Sequence, residues 1–173
     1  MKAKGFFRVI LILLVLSINI GCDQVSKSIV RRKMDYYDQI GFLHNHITLS
    51  KVENAGAFLS LGDSLKGPMR IILLNLFPLI AVLFGLYYIL AKTDLNRLTL
   101  FSVILIVGGG IGNLYDRIVH GSVTDFMHIN FVIFQTGVFN VADVSIMIGM
   151  FLLLIQAWLK QKAEPEPGRA VEQ

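Results

Sequence analysis

The stretch LTLFSVILIVGGGIGNLYDR, residues 98–117, decides the fold, because a long apolar run ends there in a cluster of polar and charged side chains. Together with three similar apolar runs it predicts membrane spans over residues 5–22, 71–91, 98–114 and 138–159. Each run approaches the ~20 residues that an α-helix needs to cross a bilayer. Only 16% of the residues are charged, against about 25% in a typical soluble domain. We therefore predict a membrane all-α fold with four transmembrane helices, built as one integral membrane domain over residues 1–173.

The basic residues predict the orientation of these helices. Half of the 16 Lys and Arg residues lie before the first run or in its first residues, between the second and third runs, and after the fourth. By the positive-inside rule these segments are cytoplasmic, and so are both termini. The first run ends at Gly21-Cys22, in the manner of an export signal, but Asn19 stands where such a signal carries a Leu-like residue. We expect this segment to remain as a helix.

Two segments are then left outside, residues 23–70 and 115–137. In the first of them, apolar residues recur at close to helical spacing over residues 28–40, with basic residues between them. This pattern predicts an amphipathic helix that lies in the membrane interface.

Other parts of the outer segments have the pattern of strands. Residues 47–53 alternate apolar and polar, turn at 54–56 and continue into 57–59, which predicts a small two-stranded element. Residues 131–134 predict a further strand or a re-entrant piece. The polar, Pro-containing tail over residues 161–173 is expected to be disordered.

Several classes of function are disfavoured by composition. The single cysteine cannot form an internal disulfide, and the chain has neither CxxC nor HExxH, so we predict no metal and no cofactor. The net charge of +4 is modest and not concentrated in a block. It favours contact with anionic lipid headgroups over binding to nucleic acid.

Two aspartates are the candidates for chemistry. Asp143 lies a few residues into the fourth apolar run, where an ionisable side chain is costly and is a functional candidate by default. Asp125 lies in the segment after the third run, which we interpret as a loop, so both carboxylates are expected near the same membrane face. Two carboxyl groups that share a site hold one proton between them, which is the state that aspartyl peptidases use. The alternative is that Asp143 caps the fourth helix and Asp125 is a solvated loop residue.

Further polar residues surround this pair. Asn113, Asp116 and Arg117 end the third run, and Asn140 stands three residues before Asp143. Asp116 and Arg117 are expected either to pair with each other or to anchor a polar network. The preceding glycines, residues 108–112, are explained by close helix approach in the membrane, since they lack the complete nucleotide-binding pattern.

Two other classes of protein stay open on these patterns. A small transporter or proton-coupled channel would use Asp143 and Asp116 as a proton relay. A structural or assembly protein would use the aspartates only in ion pairs. The block GDSL at residues 62–65 and Ser145 are weak candidates for a serine nucleophile, because no histidine is evidently placed to activate one. Ser26-Lys27 is a weak candidate for a Ser/Lys pair, because adjacent residues on a helix do not face each other.

Five blocks taken together resemble the lipoprotein signal peptidase (signal peptidase II) family. They are DQVSK at 23–27, NAGAF at 54–58, GGIGNLYDR at 109–117, VTDF at 123–126 and FNVAD at 139–143. The resemblance implies a membrane aspartyl endopeptidase of the bacterial inner membrane, which cleaves diacylglyceryl-modified prolipoproteins before the lipidated cysteine. It also implies four transmembrane helices with a small extracytoplasmic β-cradle and an interfacial amphipathic segment, no metal, an active site near the outer face, and inhibition by the cyclic peptide globomycin. We expect a monomer whose partners are the prolipoprotein and membrane lipids.

The resemblance also assigns residues. Those that fall on the catalytic aspartates are Asp125 and Asp143; those implied to bind substrate are Asn54, Asn113, Asn140 and Arg117; those implied to support the site are Asp23, Lys27, Gly56 and Asp116. One departure is a single alanine between Gly56 and Phe58, where the family commonly has two. For that reason we assign no role to Phe58 or Ser60.

Overall fold

The computed structural model describes residues 2–56, 67–131 and 133–163. Its elements, in chain order, are α1 (Lys2–Lys33), β1 (Gln39–Phe42), β2 (Ile47–Asn54), α2 (Pro68–Ile71), a π-helical segment (Ile72–Leu76), α3 (Phe77–Ala91), α4 (Arg97–His120), β3 (Val123–Phe131), β4 (Phe134–Gln135) and α5 (Val141–Ala163). The segments from α2 to α3 form one continuous helix. Within the described residues, four helices are thus long and apolar enough to cross a membrane, as predicted.

The π-helical segment has its cause in Pro78. Proline has no N–H to donate to the carbonyl of Leu74, and its ring crowds that carbonyl. The helix widens by one residue, so that the N–H of Phe77 bonds the carbonyl of Ile72, five residues back. Leu74, in the widened turn, is buried against the bundle.

Helix α4 is the centre of the bundle and packs against α1, α3 and α5. A Cβ atom on Gly112 would lie 2.5 Å from the Asp23 carboxylate, and one on Gly109 would collide with the carbonyl of Ala142. Glycine at these two positions is what lets α1 and α5 approach α4 so closely. The main apolar cluster between α1, α3 and α4 consists of Ile12, Leu16, Val82, Ile89, Ile104 and Val107.

The sheet is antiparallel with the order β1-β2-β3-β4 and is attached to one end of the bundle. Gly121 ends α4 in the left-handed conformation (φ 80°), as C-terminal glycines commonly do, and turns the chain into β3. After β4, the backbone of Phe139 returns to hydrogen-bond with Met127 in β3. The start of α5 is therefore held against the strand that follows α4.

The structure corrects the prediction of a separate interfacial helix over residues 28–40. Helix α1 continues without a break to Lys33, and Gln39–Phe42 is a strand. The cause is that the helix has polar partners beyond its apolar run. Lys27 and Arg31, one turn apart, both form ion pairs with Asp116 of α4, which stabilises the helix where an interfacial segment was expected.

The strand predictions are partly confirmed. The alternating run over 47–53 is β2, and the strand predicted near 131–134 is seen as the end of β3 and as β4. Strand β2 pairs with β1 and β3; the predicted partner over 57–59 lies outside the described residues. Helix α5 continues to Ala163, and residues 164–173 of the predicted tail also lie outside them.

Candidate active site

Asp125 is the third residue of β3, so its prediction as a loop residue is wrong: the chain enters the sheet directly after the Gly121 turn. The residue lies opposite Val52 of β2 and is only 3% exposed. Its Oδ2 accepts a hydrogen bond from Asn54 Nδ2 (2.9 Å), and its Oδ1 accepts one from Asn140 Nδ2 (2.6 Å). The alternative of a solvated carboxylate is therefore excluded.

The surroundings of Asp125 favour its protonated form. The pKa of this carboxyl is raised from its ordinary value of 3.8 to about 6, chiefly by burial and also by the nearby charge of Asp143. The hydrogen bonds from Asn54 and Asn140 and the charge of Lys27 lower it, but less than burial raises it. Asp125 is thus protonated more readily than an ordinary aspartate and is half-protonated at about pH 6.

Asp143 lies in the first turn of α5 and does cap that helix, as the sequence allowed. The Oδ1 atom of Asn140 accepts the N–H of Asp143 (2.9 Å), and Asp143 Oδ2 accepts the N–H of Asn140 (3.1 Å). This reciprocal pair is a capping box formed by Asn and Asp. The second oxygen of Asp143, Oδ1, accepts a hydrogen bond from Asn113 Nδ2 (2.8 Å). The capping bonds fix the carboxylate beside the site.

Two buried amides connect the carboxylates. Asn140 is completely buried, and its Nδ2 donates both to Asp125 (2.6 Å) and to Oδ1 of Asn113 (3.2 Å). Asn113 in turn donates to Asp143. A chain of side-chain amides thus runs from one aspartate to the other.

A buried ion cluster lies beneath these amides. Lys27 Nζ contacts Asp23 (2.8 Å), Asp116 (3.1 Å) and Oδ1 of Asn113 (2.9 Å), and Arg31 contacts Asp116 (2.7 Å). The side chains of Lys27, Asp23 and Asp116 have no exposure, and the two cations balance the two carboxylates. Because an ammonium only donates, it holds the oxygen of Asn113 towards itself and the NH2 group towards Asp143.

The cluster corrects one interpretation and supports its alternative. Asp116 and Arg117 do not pair, because neighbouring helical residues point in different directions. Asp116 instead joins the ion cluster, and Asp23 also accepts the N–H of Ala142 at the start of α5 (2.9 Å). Helices α1, α4 and α5 are thereby fixed to one another directly below the aspartates.

Arg117 extends to the end of β2. Its Nη2 donates to the carbonyl of Gly56 (2.9 Å), and the N–H of Gly56 donates to Asn54 Oδ1 (2.9 Å). The Nε atom of Arg117 is buried and has no hydrogen-bond partner among the described residues. Because buried donors in proteins are nearly always hydrogen-bonded, this N–H is a site at which an acceptor can bind.

Two cavities meet at Arg117. The larger, about 480 Å³, has Asn113, Arg117 and Asp143 at its polar side, while α3 and α5 contribute apolar residues including Pro78 and Met150. The smaller, about 200 Å³, is lined by Arg117 together with Arg70, Ala55 and Gly121, among others. An extended apolar segment could therefore approach Asp143 from the larger cavity.

The structure brings the ten predicted site residues into one connected network: Asp125, Asp143, Asn54, Asn113, Asn140, Arg117, Asp23, Lys27, Gly56 and Asp116. Two residues of the network were not predicted from the sequence. Gln24 donates to Asp23 and Asp116, and Arg31 forms an ion pair with Asp116. Positions 23, 27 and 31 repeat every four residues on one helix face, and that spacing was a usable signal.

The described residues contain no group of three or more His, Cys, Asp or Glu side chains that could hold a metal ion.

Comparisons with known proteins match most of the chain. The family model described as signal peptidase (SPase) II matches residues 13–159. A lipoprotein signal peptidase of Streptococcus pneumoniae (strain ATCC BAA-255 / R6) is 30% identical over 162 residues, which cover 94% of this chain and 97% of that protein. One from Aquifex aeolicus (strain VF5) is 38% identical over 112 residues, 65% of this chain and 66% of that protein.

Solved structures have the same fold. A bacterial membrane enzyme determined in meso at 2.3 Å resolution superposes with a TM-score of 0.79 at 24% identity, covering 90% of this chain and 92% of that one. A second such structure, at 1.9 Å resolution, has a TM-score of 0.74 at 25% identity, with 84% and 91% covered.

Proposed function

The chain belongs to the signal peptidase II family, and from that premise we propose that Asp125 and Asp143 are the catalytic pair with which it removes signal peptides from lipoproteins. The protein is a multi-pass membrane peptidase, and its substrates are prolipoproteins. The observation that carries the assignment is the pairing of two carboxylates through the amides of Asn140 and Asn113, next to an apolar cavity.

The unequal surroundings of the two aspartates suggest their roles. Asp125, whose pKa is raised to about 6, holds the shared proton and donates it towards the carbonyl oxygen of the scissile bond. Asp143 accepts a proton from the attacking water, whose oxygen bonds to the carbonyl carbon. When the C–N bond breaks, a proton passes to the leaving amine of the lipid-bearing cysteine. The products are a carboxyl group and an amine, and one water is consumed.

Substrate binding is assigned to Asn54, Asn113, Asn140 and Arg117. Arg117 is the strongest of these, because its buried Nε lacks a partner among the described residues and the side chain lines the cavity beside Asp143. A main-chain carbonyl of an extended substrate near the cut would satisfy this donor. The apolar side of the same cavity would receive side chains of the signal peptide.

The supporting roles belong to the ion cluster and to the turn after β2. Lys27, Asp23 and Asp116 fix the orientation of Asn113, which in turn contacts Asp143. This use of Asp116 argues against a proton relay in a transporter, since its two oxygens are committed to Lys27 and Arg31. Gly56 supports Asn54 through its N–H.

The orientation in the membrane is also proposed. With cytoplasmic termini, α4 ends and α5 begins at the outer face, and the sheet and both aspartates lie there. Water reaches such a site from outside, while the acyl chains of the substrate remain in the bilayer. We further propose that the enzyme acts as a monomer in the inner membrane and that globomycin blocks the aspartate pair.

A gel-shift assay with purified protein in detergent tests the function. A prolipoprotein with or without its diacylglyceryl group is supplied, each with and without globomycin. Cleavage only of the lipidated form, abolished by globomycin, is the expected result. Failure of a demonstrably folded sample to cleave the lipidated substrate would contradict the proposal.

A further inference from the structure

Arg70 lies outside the motifs that the site uses, yet it contacts two of the elements that form the site. It belongs to α2, at the start of the second long helix. Its Nη2 donates to the carbonyl of Ala55 (3.1 Å) and to that of Gly121 (3.4 Å). One guanidinium therefore joins the start of this helix, the turn after β2 and the end of α4.

The turn held in this way carries Asn54. Strand β2 pairs with β3 up to Asn54, opposite Val123, and the chain then leaves the sheet. The side chain of Asn54 bridges two partners, since its Oδ1 accepts the N–H of Gly56 (2.9 Å) and its Nδ2 donates to Asp125 (2.9 Å). The bond to Gly56 sets which end of the amide faces Asp125.

Two arginines hold the backbone just beyond Asn54. Arg70 binds the carbonyl of Ala55, and Arg117 binds the next carbonyl, that of Gly56. The strand has ended at this point, so these two bonds replace the sheet as the constraint on the turn. If the Ala55 carbonyl were released, the Asn54–Gly56 bond would loosen, and of the two amides that contact Asp125 among the described residues that of Asn140 would remain.

We propose that Arg70 is a positioning residue for peptide cleavage, holding the amide of Asn54 on Asp125 through the carbonyl of Ala55. The inference rests on the proposed role of Asp125. A positioning role differs from that of a residue that only anchors the helix, because loss of an anchor would lower stability alone. A positioning role also differs from direct contact with substrate in the cavity of about 200 Å³, because loss of such a contact would raise KM.

The test is a double-mutant cycle in the prolipoprotein cleavage assay, with R70M, N54A and the double variant. R70M is expected to lower kcat about 10-fold, as small misplacements at a catalytic group do, with KM changed less than about 2-fold. In the N54A background, R70M should have no further effect on kcat. R70K, which keeps a cationic donor at the end of a long side chain, should lose less turnover than R70M.

Further variants make the result unambiguous. R32M removes an exposed arginine from the end of α1 and should leave kcat unchanged. Guanidinium ion added to R70A should restore part of the turnover, because truncation to alanine leaves room for the ion beside the Ala55 carbonyl, and it should have no effect on N54A. If R70M does not fold, R70Q replaces it in the cycle.

Several outcomes would overturn the inference. They are unchanged kcat in R70M, a rise in KM alone, or effects of R70M and N54A that multiply in the double variant. D125N is measured in parallel, because normal turnover in D125N would refute the role of Asp125 itself. An inactive D125N combined with multiplying effects would refute only the role of Arg70.

Discussion

Asp125 and Asp143 are the same residue type in different surroundings. Asp125 is buried on a strand between two amide donors, whereas Asp143 is half-buried at the start of a helix and accepts a backbone N–H. The sequence predicted that the two would lie near one face. It did not predict the amides between them, because Asn140 reaches Asp125 only after Phe139 has returned to β3.

The raised pKa of Asp125 predicts a pH dependence of stability. Folded Asp125 binds its proton more tightly than the unfolded residue, with a pKa of about 6 against 3.8. Its contribution to stability is therefore fully present below about pH 4 and is lost as the pH rises through about 6. The change is on the order of 3 kcal/mol at 1.36 kcal/mol per pKa unit.

The comparison that isolates this effect is the parent against D125N, with thermal unfolding measured in detergent from pH 4.5 to 8. The parent should lose stability relative to D125N across this range. D125N should also be less stable at low pH, because its NH2 group would face another amide donor. Parallel curves for the two proteins would show that Asp125 titrates normally.

Asn140 combines two tasks that substitutions can separate. N140A removes both the helix cap and the donor to Asp125, so it should cost about 1 kcal/mol of stability as well as turnover. N140S keeps an acceptor for the N–H of Asp143 but cannot reach Asp125 in the same way. We expect N140S to unfold near the parent temperature while its kcat falls towards that of N140A. Equal kcat in N140S and the parent would show that the hydrogen bond from Asn140 to Asp125 is not needed for turnover.

At the level of elements, the glycines of α4 set how closely the helices pack. G109A places a methyl group against the carbonyl of Ala142 in α5, the helix that carries Asp143. Overpacking of this kind costs about 1–3 kcal/mol. We expect G109A to unfold at a lower temperature and to lose turnover, because α5 must shift.

The matched control is G21A in α1, where an added Cβ has no heavy atom within 4 Å. Helix propensity there favours alanine, so G21A should be at least as stable as the parent. Similar losses in G109A and G21A would show that the effect is not caused by contact with α5.

Helix α1 shows where pattern analysis fails. The alternation of apolar and basic residues over 28–40 is the same for an interfacial helix as for a transmembrane helix whose polar face meets another helix. Whether the segment is an interfacial or a transmembrane helix depends on whether its polar face has a partner. That partner is Asp116, about ninety residues away in sequence. Arg31, interpreted as part of a basic interfacial face, is instead an ion-pair partner of this buried acid.

At the level of the whole molecule, the number of spans followed from hydropathy alone, because a bilayer imposes one length and one polarity on each helix. The pairing of β2 with β3 did not follow from the sequence, because these strands are distant along the chain and their pairing depends on how α4 is placed. The family resemblance identified the candidate site residues, but the contacts between them could be described only from the fold.

The proposed topology is testable by labelling single cysteines in intact cells. In a C22S background, Y37C lies in the outer segment after α1, and T93C lies in the connection between α3 and α4; both positions are exposed. A membrane-impermeant maleimide should label Y37C in cells whose inner membrane is intact and T93C only after permeabilisation. The reverse pattern would place the aspartates on the cytoplasmic side.

The central claim is that one pair of aspartates performs the cleavage, and the most direct measurement is single-turnover cleavage of a lipidated prolipoprotein by D125N and D143N. The control is D94N, which changes an exposed acid in the connection between α3 and α4. D125N and D143N should both remain folded and membrane-inserted, and the cleavage rate of each should fall by at least about 100-fold. D94N should cleave like the parent. A folded D125N or D143N that retains near-normal turnover would contradict the assignment.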